Sequence, residues 1–398
     1  MPQRARSTLR QRLLQPTSFR WHRTVSLLKR RTCIPVLLTT DGLAPTSDLQ
    51  YAPVRYHARA LRDRLGVAVR FMNIEDALRL GAAQLRQYDL VGVKLSFRTS
   101  AEAALSTLRA LRERIGPAAT RLVYFDGDDD LCVQWPPLLR LVDLYVKKHV
   151  FRELTSYRPF VGKSNLTDYV ARTHGFDFRD DTIPSFPGLS PEEAAKVHLG
   201  WNVAFDEPIR RLACRRLAPI PKDTDVICRA SVRSGDWVEP LRRPVLEILE
   251  STGARWKVLT PRQRVPQRQY YQELLRSRVC ISPFGYGEIC WRDFEAILCG
   301  CLLVKPDVGH LRTYPDVFVP GKTYVPVRWD YGDLVETCAH FLSDEPERLR
   351  IVRRAREVLD QATRPDAFVS AFAHLLDRAG IPVTALPPVE AAVGAGEV

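Results

Sequence analysis

The stretch Ser282–Asp307, SPFGYGEICWRDFEAILCGCLLVKPD, gathers the residue types from which a ligand site is built. Gly285 and Gly287 flank Tyr286 after a short apolar run. Such a turn lets the backbone swing into a helix whose unpaired N–H groups can hold a pyrophosphate. Glu288 and Glu295 stand seven residues apart, so on one helix they share a face, about 10 Å apart along its axis. One carboxylate could accept two ribose hydroxyls; the other could bind a sugar hydroxyl or stabilise positive charge developing at an anomeric carbon. The plainer alternative makes the turn a tight connection, Glu288 a helix-start charge paired with Arg292, and Glu295 a surface salt bridge. Against it, Glu295 sits between Phe294 and Ala296-Ile297-Leu298, and a buried carboxylate needs a partner.

Other candidates lie at predicted strand ends. Arg229 and Arg233 follow the first strand of the second half, where a guanidinium fork could grip a diphosphate, and Lys305 is a further cation of that kind. The acidic run Asp126-Gly127-Asp128-Asp129-Asp130 follows another strand. It reads as a solvated loop, as an acceptor-binding loop with Asp128 as general base and Asp126 beside it, or as a carboxylate site for a divalent metal. Asp41 and Lys94 occupy similar positions in the first half and could touch an acceptor. His149 and His310 lie near strand ends, while His57, His174, His198, His340 and His374 show no metal-ligand spacing.

The elements that must position these residues alternate short β-rich runs with helical periodicity, the pattern of α/β layers around parallel sheets. Residues 32–181 read as a first Rossmann-like domain with strands at Ile34–Thr40, Val67–Met72, Leu90–Ser96, Leu122–Phe125 and Leu144–Val146. Six prolines between 184 and 221 make residues 182–222 the expected linker. Residues 223–381 read as a second domain, whose helix from Glu288 ends at Gly300. Residues 382–398, rich in Pro, Val, Ala and Gly, read as a flexible tail.

The Gly-Tyr-Gly-Glu turn, Arg292-Asp293-Phe294-Glu295-Ala296 and Cys299-Gly300-Cys301 running into Lys305-Pro306 resemble GT-B-fold glycosyltransferases of the group 1 and exostosin-like kind. The likeness covers about residues 225–345, with Tyr314-Pro315-Asp316 and Gly321–Pro326 included; the first half shares only the α/β pattern. The resemblance implies two Rossmann-like domains facing a cleft and a nucleotide-sugar donor in the second. It places the ribose on Glu295 and the phosphates and sugar on the Gly285-Tyr286-Gly287 turn, with Arg229, Arg233, Arg292 and Lys305 as donor contacts. Glu288 and Asp128 would be the catalytic carboxylates, and Asp41, Lys94 and Asp126 acceptor contacts. Six residues separate the two glutamates here, where retaining members have seven. No protein-bound metal is expected. The acceptor would be a glycan or lipid-linked, in cell-surface polysaccharide synthesis; the alternatives are a nucleotide-sugar epimerase or hydrolase on the same fold, or a non-catalytic nucleic-acid binder using the basic arm.

The charge is +13, of which nine positive and no negative residues lie in the arm 1–31, leaving the body mildly basic. Arg-rich and interleaved with Leu and aromatics, the arm could lie on an anionic membrane, be a solubilising tail, bind nucleic acid, or serve as a transit peptide. The body lacks a basic stripe with interleaved aromatics, so no nucleic-acid partner is expected. No apolar run approaches the roughly 20 residues that span a bilayer. Nine scattered cysteines without C-x-x-C pairing read as reduced core thiols of a cytoplasmic protein, peripheral at the inner membrane face if the arm binds lipid.

Overall fold

The computed structural model describes residues 33–43, 49–117, 119–178, 185–215, 220–261 and 263–383. The basic arm and most of the expected tail lie outside the described residues. The first sheet is built from β1 (Ile34–Thr40), β2 (Val67–Asn73), β3 (Leu90–Lys94), β4 (Arg121–Asp126) and β5 (Leu144–Lys147), with β6 (His149–Phe151) leaving it directly after β5 and β7 (Val197–Leu199) closing its far edge. Its order is β2-β1-β3-β4-β5-β7, parallel throughout. Every residue of β3 is buried, as expected of a parallel strand covered on both faces. Helix α1 (Ala58–Leu65) stops at Gly66, whose φ of +70° suits a residue without a Cβ. Helix α2 (Ala101–Ile115) starts where the Ser100 hydroxyl accepts from the Ala103 N–H, and buries Ala104, Leu108, Leu111 and Ile115 along one stripe.

The second sheet contains β8 (Thr224–Ile227), β9 (Val258–Leu259), β10 (Ser277–Ile281), β11 (Leu302–Pro306) and β13 (Val325–Val327), in the parallel order β13-β11-β10-β8-β9. β12 (Leu311–Thr313) belongs to neither large sheet. It pairs antiparallel with β6, Thr313 opposite His149, and so stitches the two halves together with backbone hydrogen bonds.

Two domain boundaries differ from the sequence expectation. The expected linker 182–222 contains β7 and helix α4 (Glu207–Ala213), preceded in chain order by α3 (Asn165–His174). Pro191 and Pro208 sit in first helical turns, where a missing N–H costs nothing, so they start helices instead of preventing them. The closing helix α10 (Pro365–Arg378) follows α5 (Glu239–Ser251), α6 (Gln267–Arg276), α7 (Trp291–Leu298), α8 (Leu334–Ser343) and α9 (Glu345–Ala362). It does not join the second sheet. Phe368, Phe372, Leu375 and Leu376 pack into the core of Ile34, Val36, Tyr51 and Trp201, returning the chain to the first domain. Periodicity announces a buried stripe without saying which sheet buries it. No helix among the described residues is long and apolar enough to cross a membrane. All nine cysteines are free thiols; six are buried, and Cys214 is exposed.

Candidate active site at the domain seam

Loops leaving β10 and β11 meet loops leaving β4 and β5 at the seam. The loop after β10 approaches so closely that a Cβ on Gly287 would overlap the Asp129 carbonyl oxygen of the first domain. Close backbone approach, not a positive φ, is what Gly287 supplies.

The shared helical face expected for the two glutamates does not exist. Helix α7 begins at Trp291, because Asp293 turns back and its Oδ2 accepts from the Cys290 N–H at 3.1 Å, closing the first turn there. Glu288 lies before that cap, in the loop. The Gly285-Tyr286-Gly287 turn is likewise separated from the helix N-terminus, which Asp293 already occupies.

Glu288 is instead the centre of a buried cluster. Asn165, at the start of α3, donates from Nδ2 to its Oε1 at 2.8 Å, and His310 Nε2 lies 3.4 Å from the same oxygen. His149 Nε2 lies 3.5 Å from Oε2. Burial pushes the carboxyl up, but contacts from both histidines outweigh it and hold it well below the usual carboxylate range. Burial lowers the pKa of His149, keeping its ring neutral. Both ring nitrogens of His149, Glu288 Oε2 and Asn165 Oδ1 are buried without a hydrogen-bond partner. Apart from the 3.5 Å contact between His149 Nε2 and Glu288 Oε2, these buried polar atoms are left without a partner, which is costly unless something with hydroxyls enters.

Glu295 sits within α7, 7% exposed. Tyr270 donates to its Oε2 at 3.1 Å and Tyr271 to its Oε1 at 3.2 Å, both from α6. Here burial wins and the carboxyl is raised. Each oxygen keeps a further lone pair, so a vicinal diol could still be bound.

The other expected donor contacts are mostly engaged elsewhere. Arg229 forks onto Glu273, with Nη2 to Oε1 at 2.7 Å, because a guanidinium just inside the sheet edge needs a counter-charge. Arg292 ties the loop down through Ser282 Oγ and the carbonyls of Arg229 and Pro283, and does not reach Glu288. Lys305, fully buried, donates to Asp293 Oδ2 and the Glu288 carbonyl, each at 2.7 Å. These three build the loop. Arg233 is exposed, and Tyr286, 45% exposed, donates to Asp236 at 2.6 Å.

In the first domain the acidic loop is tied to lysines at each of its aspartates, although Asp129 is exposed. Asp126 is buried against Lys147 (2.9 Å) and Tyr145; burial pushes it up, but Lys147 and Lys94 hold it far below its ordinary range. Asp129 pairs with Lys148 (2.6 Å) and Asp130 with Lys163 (2.8 Å). Asp128 is the loosest, 3.5 Å from the buried Lys94, and burial raises its pKa. Asp41 caps the turn at Ser96 and Thr99. Among the described residues no group of three or more His, Cys, Asp and Glu is arranged to hold a metal ion. Asn165, Tyr270 and Tyr271 were not expected. A helix-start Asn and a Tyr-Tyr pair are too common in sequence to single out.

Residues 233–369 match a glycosyl transferase-like family. The second half of the chain thus carries a glycosyl transferase-like region. Solved structures similar to this chain include HepE of Anabaena in complex with UDP, at 11% identity over 86% of this chain and 99% of that one, TM-score 0.46. An α-glucosyltransferase in complex with UDP-glucose and DNA containing an abasic site gives 11%, 87%, 99% and 0.45. A glycosyltransferase from Rickettsia africae gives 10%, 87%, 99% and 0.48. No curated protein matches the chain.

Proposed function

We propose that this enzyme takes a sugar from a nucleotide diphosphate sugar and passes it to a hydroxyl of a glycan or lipid-linked acceptor at the domain seam. The carrying observation is the charged, buried Glu288 carboxylate facing His149 across the seam, with orphaned polar atoms around it. Sugar hydroxyls satisfy such atoms, and the carboxylate stabilises positive charge at the anomeric carbon as its bond to the diphosphate breaks. The electron pair leaves with the diphosphate and the acceptor oxygen forms the new bond. Neutral His149 has a lone pair for the acceptor proton, and Glu288 stabilises the resulting imidazolium. Asp128 is less well placed for that role, facing Lys94 in the first domain. Glu295 holds the ribose. Arg233, with no ion pair or side-chain hydrogen bond among the described residues, serves the departing diphosphate without a protein-bound metal. The basic arm holds the enzyme at the anionic inner membrane face, where cell-surface polysaccharides are begun.

UDP-glucose, the ligand named for relatives of this fold, is the first donor to test, with and without glycan and lipid-linked acceptors and with EDTA. Acceptor-dependent UDP release that survives chelation is expected. Sugar altered or released without acceptor would point to an epimerase or hydrolase, and loss of turnover on chelation restored by a divalent ion would overturn the metal-free reading.

A further inference from the structure

The cluster around Glu288 has no open face. The Glu288 side chain is wholly buried and that of His149 is 1% exposed, so a sugar has no way in while they are so covered. Much of the cover is α3. Asn165, its first residue, donates to Glu288 Oε1 at 2.8 Å and lies 3.3 Å from His310 Nε2. One turn on, Tyr169 meets Trp329 edge-on at 5.0 Å, and the same indole stands 5.5 Å from the His310 ring. Phe178, beyond the helix, packs on Trp237, and α3 lies against α5. Trp237, Glu288, His310 and Trp329 stand in loops that follow β8, β10, β11 and β13. The helix therefore crosses the carboxyl ends of the second sheet, where α/β proteins bind their ligands.

The excursion that carries α3 closes on itself at its base. Leu189 N–H donates to the Tyr157 carbonyl at 2.9 Å, Phe160 N–H to the Phe186 carbonyl at 3.0 Å, and Phe186 N–H to the Gly162 carbonyl at 2.8 Å. Lys163, just above this neck, pairs with Asp130 of the first domain at 2.8 Å. Neither large sheet takes a strand from the excursion. A segment closed at its neck and held beyond it by one amide and two ring pairs can lift while both sheets stay intact.

We propose that α3 is a strap seated over the donor-sugar site, that Asn165 takes on Glu288 the place of a sugar hydroxyl, and that the donor enters only when the strap lifts about its Phe160–Phe186 neck. The inference rests on the reading that Glu288 faces the transferred sugar. An amide N–H and a sugar hydroxyl are both donors, so either satisfies the same carboxylate oxygen. Exchanging one for the other leaves no buried charge unpaired. Asn165 Oδ1, buried without a hydrogen-bond partner while the strap is down, reaches water when it lifts. The seated strap thus blocks its own site, and the first half of the chain controls entry to the second.

Hydrogen–deuterium exchange on the full chain tests this, read at the backbone amides of α3 and at the ring C–H of His149. Tyr169→Ala removes one clasp and should speed both by the same factor, about 10-fold. Tyr169→Phe keeps the ring and should speed neither. The ring of His57, stacked on Phe368 at 4.9 Å in the first domain, should keep its rate in both variants. Faster α3 amides with an unchanged His149 would mean that the site is reached by another route, and unchanged rates at both that α3 is a fixed wall. Either result overturns the proposal, as does equal speeding at His57, which would be general loosening. The reading beneath it is tested separately with UDP-glucose. Glu288→Gln turning over at the wild-type rate would take the sugar away from Glu288, and the strap's role with it, whereas a slow Glu288→Gln beside a fixed α3 keeps the sugar there and loses only the strap.

Discussion

Glu288 and Glu295 are both buried and lie seven residues apart, yet Glu288 is flanked by two histidines and an asparagine from three different elements, whereas Glu295 meets only two phenol hydroxyls from one helix. Burial pushes both carboxyls up; for Glu288 the histidine contacts reverse that shift, and for Glu295 the tyrosines do not. Burial alone therefore does not decide a carboxylate's charge. Its partners do. A carboxylate held ionised before substrate arrives suits charge stabilisation in a transition state. One whose pKa burial raises, with hydroxyl donors for its partners, becomes a better acceptor when two ribose hydroxyls join the tyrosines, so it suits ground-state binding.

The largest expected effect comes from removing the first-domain side of the Glu288 cluster. His149→Ala should lower the transfer rate by about 10²–10³-fold in steady-state assays, with little change in nucleotide affinity. A rate within a few-fold of wild type would break the contrast, leaving Glu288 a structural ion. Gly287→Ala should destabilise the protein by about 1–3 kcal/mol in urea titrations, since the new methyl meets the Asp129 backbone and two packed domains must part.

Asp206 gives a third kind of buried carboxyl, at the same seam. Burial raises it to about 7 despite a 2.7 Å hydrogen bond from Trp291 Nε1 and the nearby charge of Lys148. The folded pKa lies above the unfolded one, so the folded state binds the extra proton between about pH 4 and 7. Stability from this group is greatest below that window and declines as pH rises through it. Asp206→Asn, which keeps an acceptor for Trp291, should therefore stabilise by on the order of 1–3 kcal/mol at pH 8 and by almost nothing at pH 4 in melts. Equal effects at both values would contradict the assignment. Smallest, Tyr271→Phe removes one donor to Glu295 and should weaken UDP binding by about 0.5–1.5 kcal/mol while sparing the rate at saturation.

The alternation of strands and helices was legible in the sequence because parallel strands buried on both faces read as apolar runs: β1 and β5 fall where expected, and β3 starts where expected. The stretch around Glu295 was legible for the same local reason. What the sequence did not show depends on contacts far apart in the chain. The β6–β12 pairing joins residues about 160 positions apart, and nothing in His149-Val150-Phe151 names Leu311–Thr313 as its partner. Glu288 was placed on a helix because helical spacing to Glu295 is satisfied by counting, while the actual helix start is decided by Asp293 reaching back to Cys290. Arg229 and Lys305 looked available because their counter-charges, Glu273 and Asp293, are brought to them only by folding. The lysine partners of the acidic loop, Lys94 and Lys147, are brought beside it only by the sheet, so the sequence left it open as solvated, acceptor-binding or metal-binding.

The division of labour between the two glutamates is tested most directly by measuring UDP affinity and transfer rate side by side for Glu288→Gln and Glu295→Ala. Glu288→Gln should bind UDP within a few-fold of wild type and transfer at least about 10²-fold more slowly. Glu295→Ala should lose about 1–3 kcal/mol of UDP affinity and recover most of its rate when donor is saturating. The reverse pattern, or equal losses of affinity and rate in both variants, would contradict it.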